Sequence, residues 1–311
     1  MRAQFESPNQ QGPQPSVPAR RRRSTWSKRL YIWWFMAPGV VLVLLVTFYP
    51  TWYAFNLSLH ETFFTERVRF VGLDHYRLFL TDPTARSNLL RSLIYVGGTV
   101  AVTLPLALLL AVALNAKLPM ITVFRAIIFL PWVLSEMVIA LLWRWLLDQA
   151  YGPVNYALDT LVGSTVSFLG NDPHAMYTLI AANSWRLFPL ATILLIAALQ
   201  TIPSELYESA SIDGASGLQR FASITMPLIS STLMISLILI TIYTFNMVTL
   251  IYMLTGGGPF GTTDVLAYRV YREAFENWSL GYAATMGMII FLVNAVLSLL
   301  YMWILRRDTG E

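Results

Sequence analysis

Six stretches of about 20 mostly apolar residues constrain this chain more than any other feature of its sequence. They cover residues 31–55, 93–114, 121–147, 176–199, 233–254 and 282–305. None alternates over about ten residues as the strands of a membrane barrel do. Only 12% of the 311 residues are charged, against about 25% in soluble proteins. The sequence therefore predicts an all-α polytopic membrane protein with six transmembrane helices, for which lipid is the surrounding solvent.

The composition also excludes several kinds of functional site. The chain has no cysteine, which excludes disulfides, thiol catalysis and cysteine-based zinc sites. Its three histidines, His60, His75 and His174, lie far apart without ligand spacing, so we expect no metal site. No Gly-x4-Gly-Lys-Ser/Thr segment is present to hold phosphates. We expect this chain to have no catalytic residues and to bind no cofactor itself.

Positive charge predicts the orientation of the spans. Basic residues crowd into 20–29, just before the first apolar run, which is more typical of a topology signal than of nucleic-acid binding. With the N-terminus in the cytoplasm, the inside segments hold 12 Lys and Arg and the outside loops hold 7. The loop 148–175 supports this orientation, because it contains Asp148, Asp159 and Asp172 but no Lys or Arg. We predict a multi-pass protein of the bacterial cytoplasmic (inner or plasma) membrane, with both termini in the cytoplasm and no nucleic-acid partner.

The composition divides the chain into three parts. The first 19 residues are rich in Gln and Pro and poor in apolar residues, as disordered tails are. A cleaved signal peptide is the alternative for the first apolar run, but that run is longer than a typical signal core. We assign 1–30 to a disordered basic cytoplasmic tail, 31–307 to the transmembrane domain and 308–311 to a short cytoplasmic C-terminus.

A polar stretch, 203–228, separates the fourth and fifth apolar runs. Pro203 suits the start of a helix, and Glu208 lies near its positive end. Gly214 suits the left-handed residue that ends a helix, and Ser216 with Gln219 has capping-box spacing for a second short helix. We predict a helix-turn-helix across the cytoplasmic mouth. An amphipathic hairpin at the lipid interface is the alternative, but such helices usually carry Lys and Arg, and this stretch holds three acids and one arginine.

The same stretch closely resembles the cytoplasmic signature of the membrane subunits of binding-protein-dependent ABC importers. That signature reads Glu-Ala-Ala, three residues, Gly, about nine residues, then Ile-x-Leu-Pro. The segment ESASIDGASGLQRFASITMPLI departs from it mildly, with Ser209 for alanine and Met226 for leucine. In the family this loop docks on the ATP-hydrolysing subunit. The resemblance therefore implies an ATPase-coupling loop that includes Glu208, Ser209, Ala210, Asp213, Gly214, Ala215, Phe221 and Pro227.

Other segments carry the resemblance over residues 30–307. FMAPGVVLVLLVTFYPTWYAFNLSL, FVGLDHYRLFL, FRAIIFLPW and YGPVNYAL are similar to family elements. MLTGGGPFGTTDVLAYRVYREAF resembles an outer loop of the carbohydrate branch, of the maltose and glycerol-phosphate type. The resemblance implies four kinds of subunit: this chain, a second and unlike permease, a dimer of ATP-binding subunits that holds ATP and Mg²⁺, and an extracytoplasmic solute-binding protein. It implies contact with that binding protein at Gly256, Gly257, Gly258 and Pro259, for which a merely flexible turn is the alternative.

Two charges inside predicted spans need a partner, because charge in lipid is costly. Glu136 and Arg186 lie at similar distances from the outer ends of the third and fourth spans, so we predict that they pair. One interpretation of the pair is a proton or ion relay. The other, which we favour, is a structural ion pair that fixes two helices.

The fifth span offers the best candidate for a wall of the substrate path. It holds several hydroxyl and amide side chains and no charge, which suits a neutral polyhydroxylated ligand. We assign Tyr243, Asn246 and Thr249 to one face of this span, at a spacing of three residues. Ser and Thr in membrane helices often bond to their own backbone or to a neighbouring helix instead.

These features favour a permease subunit of an ATP-driven importer for a sugar or oligosaccharide. One alternative is a permease of the same superfamily for another solute, such as glycerol 3-phosphate. Another is an ion-coupled secondary carrier, although we find no convincing internal repeat of the kind common in such carriers.

Overall fold

The computed structural model describes residues 25–115 and 121–309. Most of residues 1–30, assigned above to a disordered tail, and the last two of 308–311 lie outside the described residues, as does Lys117 in the predicted inner loop. The described chain is helical apart from one β-hairpin. The helices are α1 (Thr25–Val43), α2 (Tyr49–Ser58), α3 (Asp74–Thr81), α4 (Pro83–Asn115), α5 (Ile121–Val133), α6 (Glu136–Leu146), α7 (Pro153–Val162), α8 (His174–Gln200), α9 (Ser204–Ile212), α10 (Gly217–Arg220), α11 (Met226–Phe245), α12 (Thr249–Leu254), α13 (Leu266–Phe275) and α14 (Leu280–Thr309).

The chain separates into two compact units, Met1–Thr51 and Trp52–Glu311. In the first unit, α1 contains Pro38 and runs into a π-helical segment, Leu44–Phe48, which leads into α2. The apolar segment Trp34–Ser58 is long enough to cross a membrane, as the run 31–55 predicted.

Five helical segments of the described chain are long and apolar enough to cross a membrane, and a bent pair makes a sixth if it is one span. The prediction of a helical polytopic protein is thus confirmed, but two spans differ from the prediction. The third, predicted as continuous over 121–147, is broken at residues 134–135. Its halves, α5 and α6, differ in direction by a bend of 98°. The fifth, predicted over 233–254, starts earlier and ends at Phe245, and a new helix, α12, begins at Thr249.

The second span also begins earlier than its apolar run. α4 starts at Pro83, where Asp82 Oδ1 accepts the amide of Thr84 over 2.8 Å. This is the usual chemistry of a helix start, with a side-chain cap and Pro in the first turn. Hydropathy places the start ten residues later, at 93, because Arg86 and Arg91 make the first turns polar.

In the second unit, the helices pack as a bundle around α8, which contacts α4 along much of its length. Small residues permit this close approach. Ala107 and Ala111 of α4 and Ala191 of α8 are buried, and a Cβ on Gly98 would lie 2.5 Å from Ile180 Cδ1. α11 packs on α4, α8 and α14, and the half-helix α12 packs on α6.

The two ends of the bundle differ in their loops. A two-stranded antiparallel hairpin, β1 (His60–Phe63) and β2 (Glu66–Phe70), lies at one end, which we call the hairpin end. The amide of Gly281 donates to Thr62 Oγ1 over 2.9 Å, which places the start of α14 at this end too. The segment that joins α8 to α11 lies at the other end, which we call the Gly214 end.

Candidate functional site

The turn at Gly214 has a well-defined helix-ending geometry. Gly214 has φ +78°, the left-handed conformation that its sequence position predicts. Its amide donates to Ser211 O over 3.1 Å, and the amide of Ala215 donates to Ala210 O over 2.9 Å. These two bonds form the Schellman motif that closes many helices at a glycine. α9 therefore ends in a fixed turn and not in a flexible loop.

The helix after the turn begins with a complete capping box. Ser216 N donates to Gln219 Oε1 over 2.7 Å, and Gln219 N donates to Ser216 Oγ over 3.3 Å. The predicted second helix begins at this box, and no break separates it from the fifth span. α10 runs through a π-helical segment, Phe221–Thr225, directly into α11, so one helix extends from Gly217 to Phe245. Compared with the predicted run 233–254, this span therefore starts 16 residues earlier and ends nine residues earlier.

The surface of this turn combines acidic and apolar side chains. Ile212 is 87% exposed and Leu218 is 78% exposed, on either side of Gly214. Glu205 and Glu208 are exposed on α9 nearby. Five of the residues assigned to the coupling loop are exposed: Glu208, Ser209, Asp213, Gly214 and Pro227. The other three are half-buried: Ala210, Ala215 and Phe221. An apolar centre with an acidic rim is typical of a protein-binding surface.

A hydrogen bond on the bundle side of the turn joins it to the long helix. Tyr207 Oη lies 2.9 Å from Thr225 Oγ1, which joins α9 to the long helix. A cavity of about 230 Å³ lies beside this contact, and Asn115 of α4 and Leu199 of α8 line it as well. The ends of three membrane helices thus meet directly behind the exposed turn.

An ion pair lies at the break in the third span. Arg186 Nη1 donates to Glu136 Oε1 over 3.1 Å, so the structure brings together the two charges that the sequence placed at similar depth. Glu136 is the first residue of α6, where the positive end of the helix dipole favours a carboxylate. The side chain of Arg186 is 11% exposed and that of Glu136 is 35% exposed. Among the described residues, Arg186 Nη2 has no partner although it is buried.

The pair continues into two buried residues that sequence reasoning missed. Arg186 Nε donates to Asn183 Oδ1 over 3.3 Å, and Asn183 Nδ2 donates to Thr244 Oγ1 over 3.2 Å. Asn183 and Thr244 are almost fully buried. Four polar side chains therefore connect the break in the third span with the last turn of α11. The spacing of Asn183 and Arg186, three residues apart on one helix, was the available signal.

The residues assigned to the substrate path lie at the break after α11. Asn246 follows the last residue of α11, and its Nδ2 donates to Ile242 O over 2.8 Å. Tyr243 and Thr249 are exposed like Asn246, but Thr249 opens α12, so the three residues do not share one continuous helix. The prediction of a single helical face is wrong at this point, because α11 ends at Phe245, four residues before Thr249.

The glycine segment at the hairpin end is compact. Gly256 and Gly257 have φ +58° and +78°, and a Cβ on Gly257 would lie 2.7 Å from the ring of Tyr268. The buried hydroxyl of Thr263 lies 2.7 Å from Gly258 O. Phe260, at the tip beside Pro259, is fully exposed. The segment is thus a shaped loop that presents one aromatic ring, and a purely flexible turn does not describe it.

A buried carboxylate fastens this loop to α4. Asp264 is 5% exposed, and Asn88 Nδ2 donates to its Oδ2 over 3.3 Å. Arg272 Nη1 lies 3.7 Å from the same oxygen, and Ser92 Oγ accepts the amide of Leu266 over 2.8 Å. Burial raises the pKa of Asp264, against the opposing effect of Arg272 and Arg269. No local sequence pattern signals this cluster, because Asn88 and Asp264 are far apart in the chain.

Comparisons with known proteins cover most of this chain. The sequence profile of the family described as "Binding-protein-dependent transport system inner membrane component" matches residues 83–308. The trehalose/maltose transport system permease protein MalF of Thermococcus litoralis is 34% identical over 276 residues, which cover 87% of this chain and 92% of that protein. The sn-glycerol-3-phosphate transport system permease protein UgpA of Agrobacterium fabrum is 31% identical over 265 residues, which cover 85% of this chain and 90% of that protein.

A solved structure has the same fold. One chain of a bacterial alginate ABC transporter, in complex with a periplasmic protein that holds an alginate pentasaccharide, aligns with a TM-score of 0.78. The alignment covers 92% of this chain and 98% of that one, at 24% sequence identity. The likeness therefore concerns the arrangement of the helices.

Proposed function

The chain belongs to the family of binding-protein-dependent transport system inner membrane components, and we propose that it forms, with a second and unlike permease, the path for a neutral sugar or oligosaccharide through an ATP-driven importer. Members of this family are transporter subunits. The single observation that carries the ATP-driven mechanism is the exposed turn at Gly214, with Ile212 and Leu218 at its centre and acids around it.

The turn is suited to docking on an ATP-hydrolysing subunit. Its backbone is fixed by the Schellman motif and the capping box, so a partner would not have to order it. The bond from Tyr207 to Thr225 joins it to a membrane helix, which gives a movement of the partner a direct route into the bundle. ATP and Mg²⁺ would bind on that partner, since this chain has no phosphate-binding glycine segment.

The orientation follows from this assignment. The Gly214 end faces the cytoplasm with both termini, in agreement with the excess of Lys and Arg in the predicted inner segments. The hairpin end faces outward, where the glycine loop and Phe260 would meet a solute-binding protein. The protein would lie in the bacterial cytoplasmic membrane.

A neutral solute fits the charges in the middle of the bundle. The positive charge of Arg186 is already balanced by Glu136, which makes this position less favourable for a phosphate or carboxylate. Glu136 is 35% exposed, and a carboxylate at this depth is not stable against lipid. We infer that its side of α6 faces the second permease or the water of the path. Relatives are named for neutral and for phosphorylated solutes: one for trehalose and maltose, and another for glycerol 3-phosphate.

Substitution of Gly214 tests the coupling role. A Cβ at Gly214 meets nothing within 4 Å, so Gly214→Val acts through the backbone at φ +78°, at a cost of about 1–2 kcal/mol per strained residue. Gly217→Ala is the matched control, because Gly217 is also uncrowded and lies in ordinary helical backbone. Both variants would be co-expressed with an ATPase subunit, a second permease and a solute-binding protein from the same genome.

We expect Gly214→Val to lose the ATPase subunit during purification and to lose ATP-dependent uptake of trehalose or maltose into proteoliposomes. Gly217→Ala should retain both. ATPase association and uptake at control levels in Gly214→Val would contradict the docking role. Uptake by this chain alone, driven by a proton gradient without ATP, would contradict the importer and favour a secondary carrier. Uptake of glycerol 3-phosphate in place of any neutral sugar would contradict the proposed solute class.

A further inference from the structure

A cavity of about 330 Å³ opens at the hairpin end of the bundle, and none of the residues assigned to the path lines it. Its volume is within the range of about 300–1,000 Å³ typical of small-molecule sites. Three segments form it: the end of α6 with the turn that follows, the loop before α8, and the end of α12. Half of the ten lining residues have side chains that can donate or accept hydrogen bonds, namely Arg144, Asp148, Gln149, Ser167 and Thr255, and Phe168 adds an aromatic ring.

One buried asparagine holds two walls of this cavity together. Asn155 is 2% exposed, and its Nδ2 lies 3.1 Å from Asp148 O, 3.1 Å from Val166 O and 3.3 Å from Leu147 O. Its Oδ1 accepts the amide of Val166 over 2.8 Å. The wall after α6 and the wall before α8 are thus fixed to each other without any ligand. Asn155 belongs to the segment YGPVNYAL, which has no role in the proposed coupling loop or substrate path. Holding these two walls together gives one residue of that segment a role.

The charged groups of the cavity are arranged to leave a donor available. Asp148 Oδ1 accepts the amides of Ala150 and Tyr151 over 2.9 and 3.2 Å, so this carboxylate is held by its own backbone. These amides lower the pKa of Asp148, which remains a carboxylate at neutral pH. Within the described part of the chain, Arg144 forms no contact ion pair. Its exposed guanidinium can therefore donate to a bound molecule.

The electrostatics of the cavity favour a neutral ligand with many hydroxyl groups. α6 and α12 both end at its wall, and the negative ends of their dipoles disfavour anions there. Asp148 disfavours anions as well. Hydroxyl groups can accept from Arg144 and Gln149 and donate to Asp148, and the ring of Phe168 offers an apolar face to C–H groups.

We propose that this cavity is an entry subsite that binds one ring of a neutral sugar at the outer face, before the sugar reaches the middle of the bundle. Arg144, Gln149 and Ser167 would contact its hydroxyl groups, and Asn155 would position the walls. The inference rests on the proposed sugar import and adds to it a second binding site, separate from Tyr243 and Asn246.

Thiol labelling tests this subsite directly. The chain has no cysteine, so Ser167→Cys introduces a single thiol at the cavity wall. Ser164→Cys is the matched control, because Ser164 is exposed in the same loop and does not line the cavity. Each variant, in the assembled importer in sealed membranes, would react with a membrane-impermeant maleimide added outside. Trehalose, maltose or glycerol 3-phosphate would be present in parallel samples.

We expect trehalose or maltose to slow labelling of Ser167→Cys several-fold and to leave Ser164→Cys unchanged, while glycerol 3-phosphate affects neither. A sugar that the importer transports but that does not protect Ser167→Cys overturns the proposal, and so does equal protection by glycerol 3-phosphate. Failure of the proposed function gives different results. If Ser164→Cys is not labelled from outside, the orientation is wrong, and if no sugar is transported, the solute class is wrong.

Transport kinetics provide a second test. Arg144→Gln removes the charged donor and keeps most of the side chain, whereas Arg77→Gln changes an exposed arginine at the same end that does not line the cavity. Loss of one charge-assisted hydrogen bond predicts a rise of about tenfold in the KM for the sugar, with kcat retained. Arg77→Gln should leave both constants unchanged. An unchanged KM in Arg144→Gln, or a fall in kcat alone, overturns the assignment of Arg144.

Discussion

The ion pair between Glu136 and Arg186 yields the sharpest prediction about what holds the bundle together. Glu136→Gln removes the negative charge but keeps an oxygen that can accept from Arg186 Nη1, 3.1 Å away. Arg186→Met removes the donor to Glu136 and also the donor to Asn183. The two variants, with the double variant, form a cycle that isolates the energy of the pair.

The exposed fractions of the two side chains determine how much stability the protein should lose when the ion pair is broken. Breaking a fully buried ion pair costs about 3–5 kcal/mol, and an exposed pair contributes about 0–1 kcal/mol. Arg186 is 11% exposed and Glu136 is 35% exposed, so this pair lies between those limits. We expect Glu136→Gln to cost about 2 kcal/mol and Arg186→Met about 3 kcal/mol. The double variant should cost less than the sum by about 1–2 kcal/mol.

Thermal unfolding of the purified protein in detergent measures these effects, and a loss of about 2 kcal/mol corresponds to a fall in Tm of about 5 °C. Glu61→Gln is the matched control, because Glu61 pairs with Arg69 over the same 3.1 Å but in an exposed position. The pH profile of uptake should be the same in Glu136→Gln and the unmodified protein. If Glu136→Gln is as stable as Glu61→Gln and its pH profile of uptake is shifted, the structural role of the ion pair is refuted and a relay is supported.

Three further changes test other contacts. Gly257→Ala adds a Cβ 2.7 Å from the neighbouring tyrosine ring at φ +78°, and it should lower the free energy of unfolding by about 2–4 kcal/mol. Gly261→Ala has a similar φ of +77° but no atom closer than 3.6 Å, so it should lower this free energy by only about 1 kcal/mol. Thermal unfolding distinguishes the two variants. Because burial raises the pKa of Asp264, the folded chain binds the proton more tightly than the unfolded chain, and stability should fall as pH rises from about 4 through the raised pKa. Asp264→Asn should abolish this fall, and a difference in Tm that is constant with pH would contradict it. Thr244→Val leaves the buried asparagine amide of α8 without its acceptor and should cost about 1–3 kcal/mol, whereas Thr241→Val, at a buried hydroxyl with no partner among the described residues, should cost almost nothing.

The spans were predictable because lipid imposes a length on apolar helices, independent of their packing. The end of α9 was predictable for a similar reason. The left-handed turn at Gly214 and the box of Ser216 and Gln219 depend on residues within four positions of one another, so local chemistry decides them.

The two breaks were not predictable from hydropathy, because a break between two apolar half-helices leaves the mean hydropathy unchanged. A local signal was present in each case. Ser135 followed by Glu136 is a helix start, and Asn246 is a residue that commonly ends helices. Glu136 and Asn246 were interpreted as polar residues inside continuous spans, and for Asn246 the consequence was a wrong helical face for Thr249. The pairing of Asn88 with Asp264 had no local signal, because it depends on the packing of distant segments.

One helix connects the exposed turn with the centre of the bundle. It runs from Gly217 to Phe245 over 29 residues, about 43 Å at 1.5 Å per residue. In its last turn Thr244 begins the polar chain through Asn183 and Arg186 to the first residue of α6. A rotation imposed at the turn therefore has a contiguous route to the break in the third span, across one helix and three hydrogen bonds. These bonds lie at the far end of this helix from the exposed turn. Under the proposed docking of an ATPase subunit on that turn, changes to the bonds should alter how much sugar moves per ATP and leave the binding of that subunit intact.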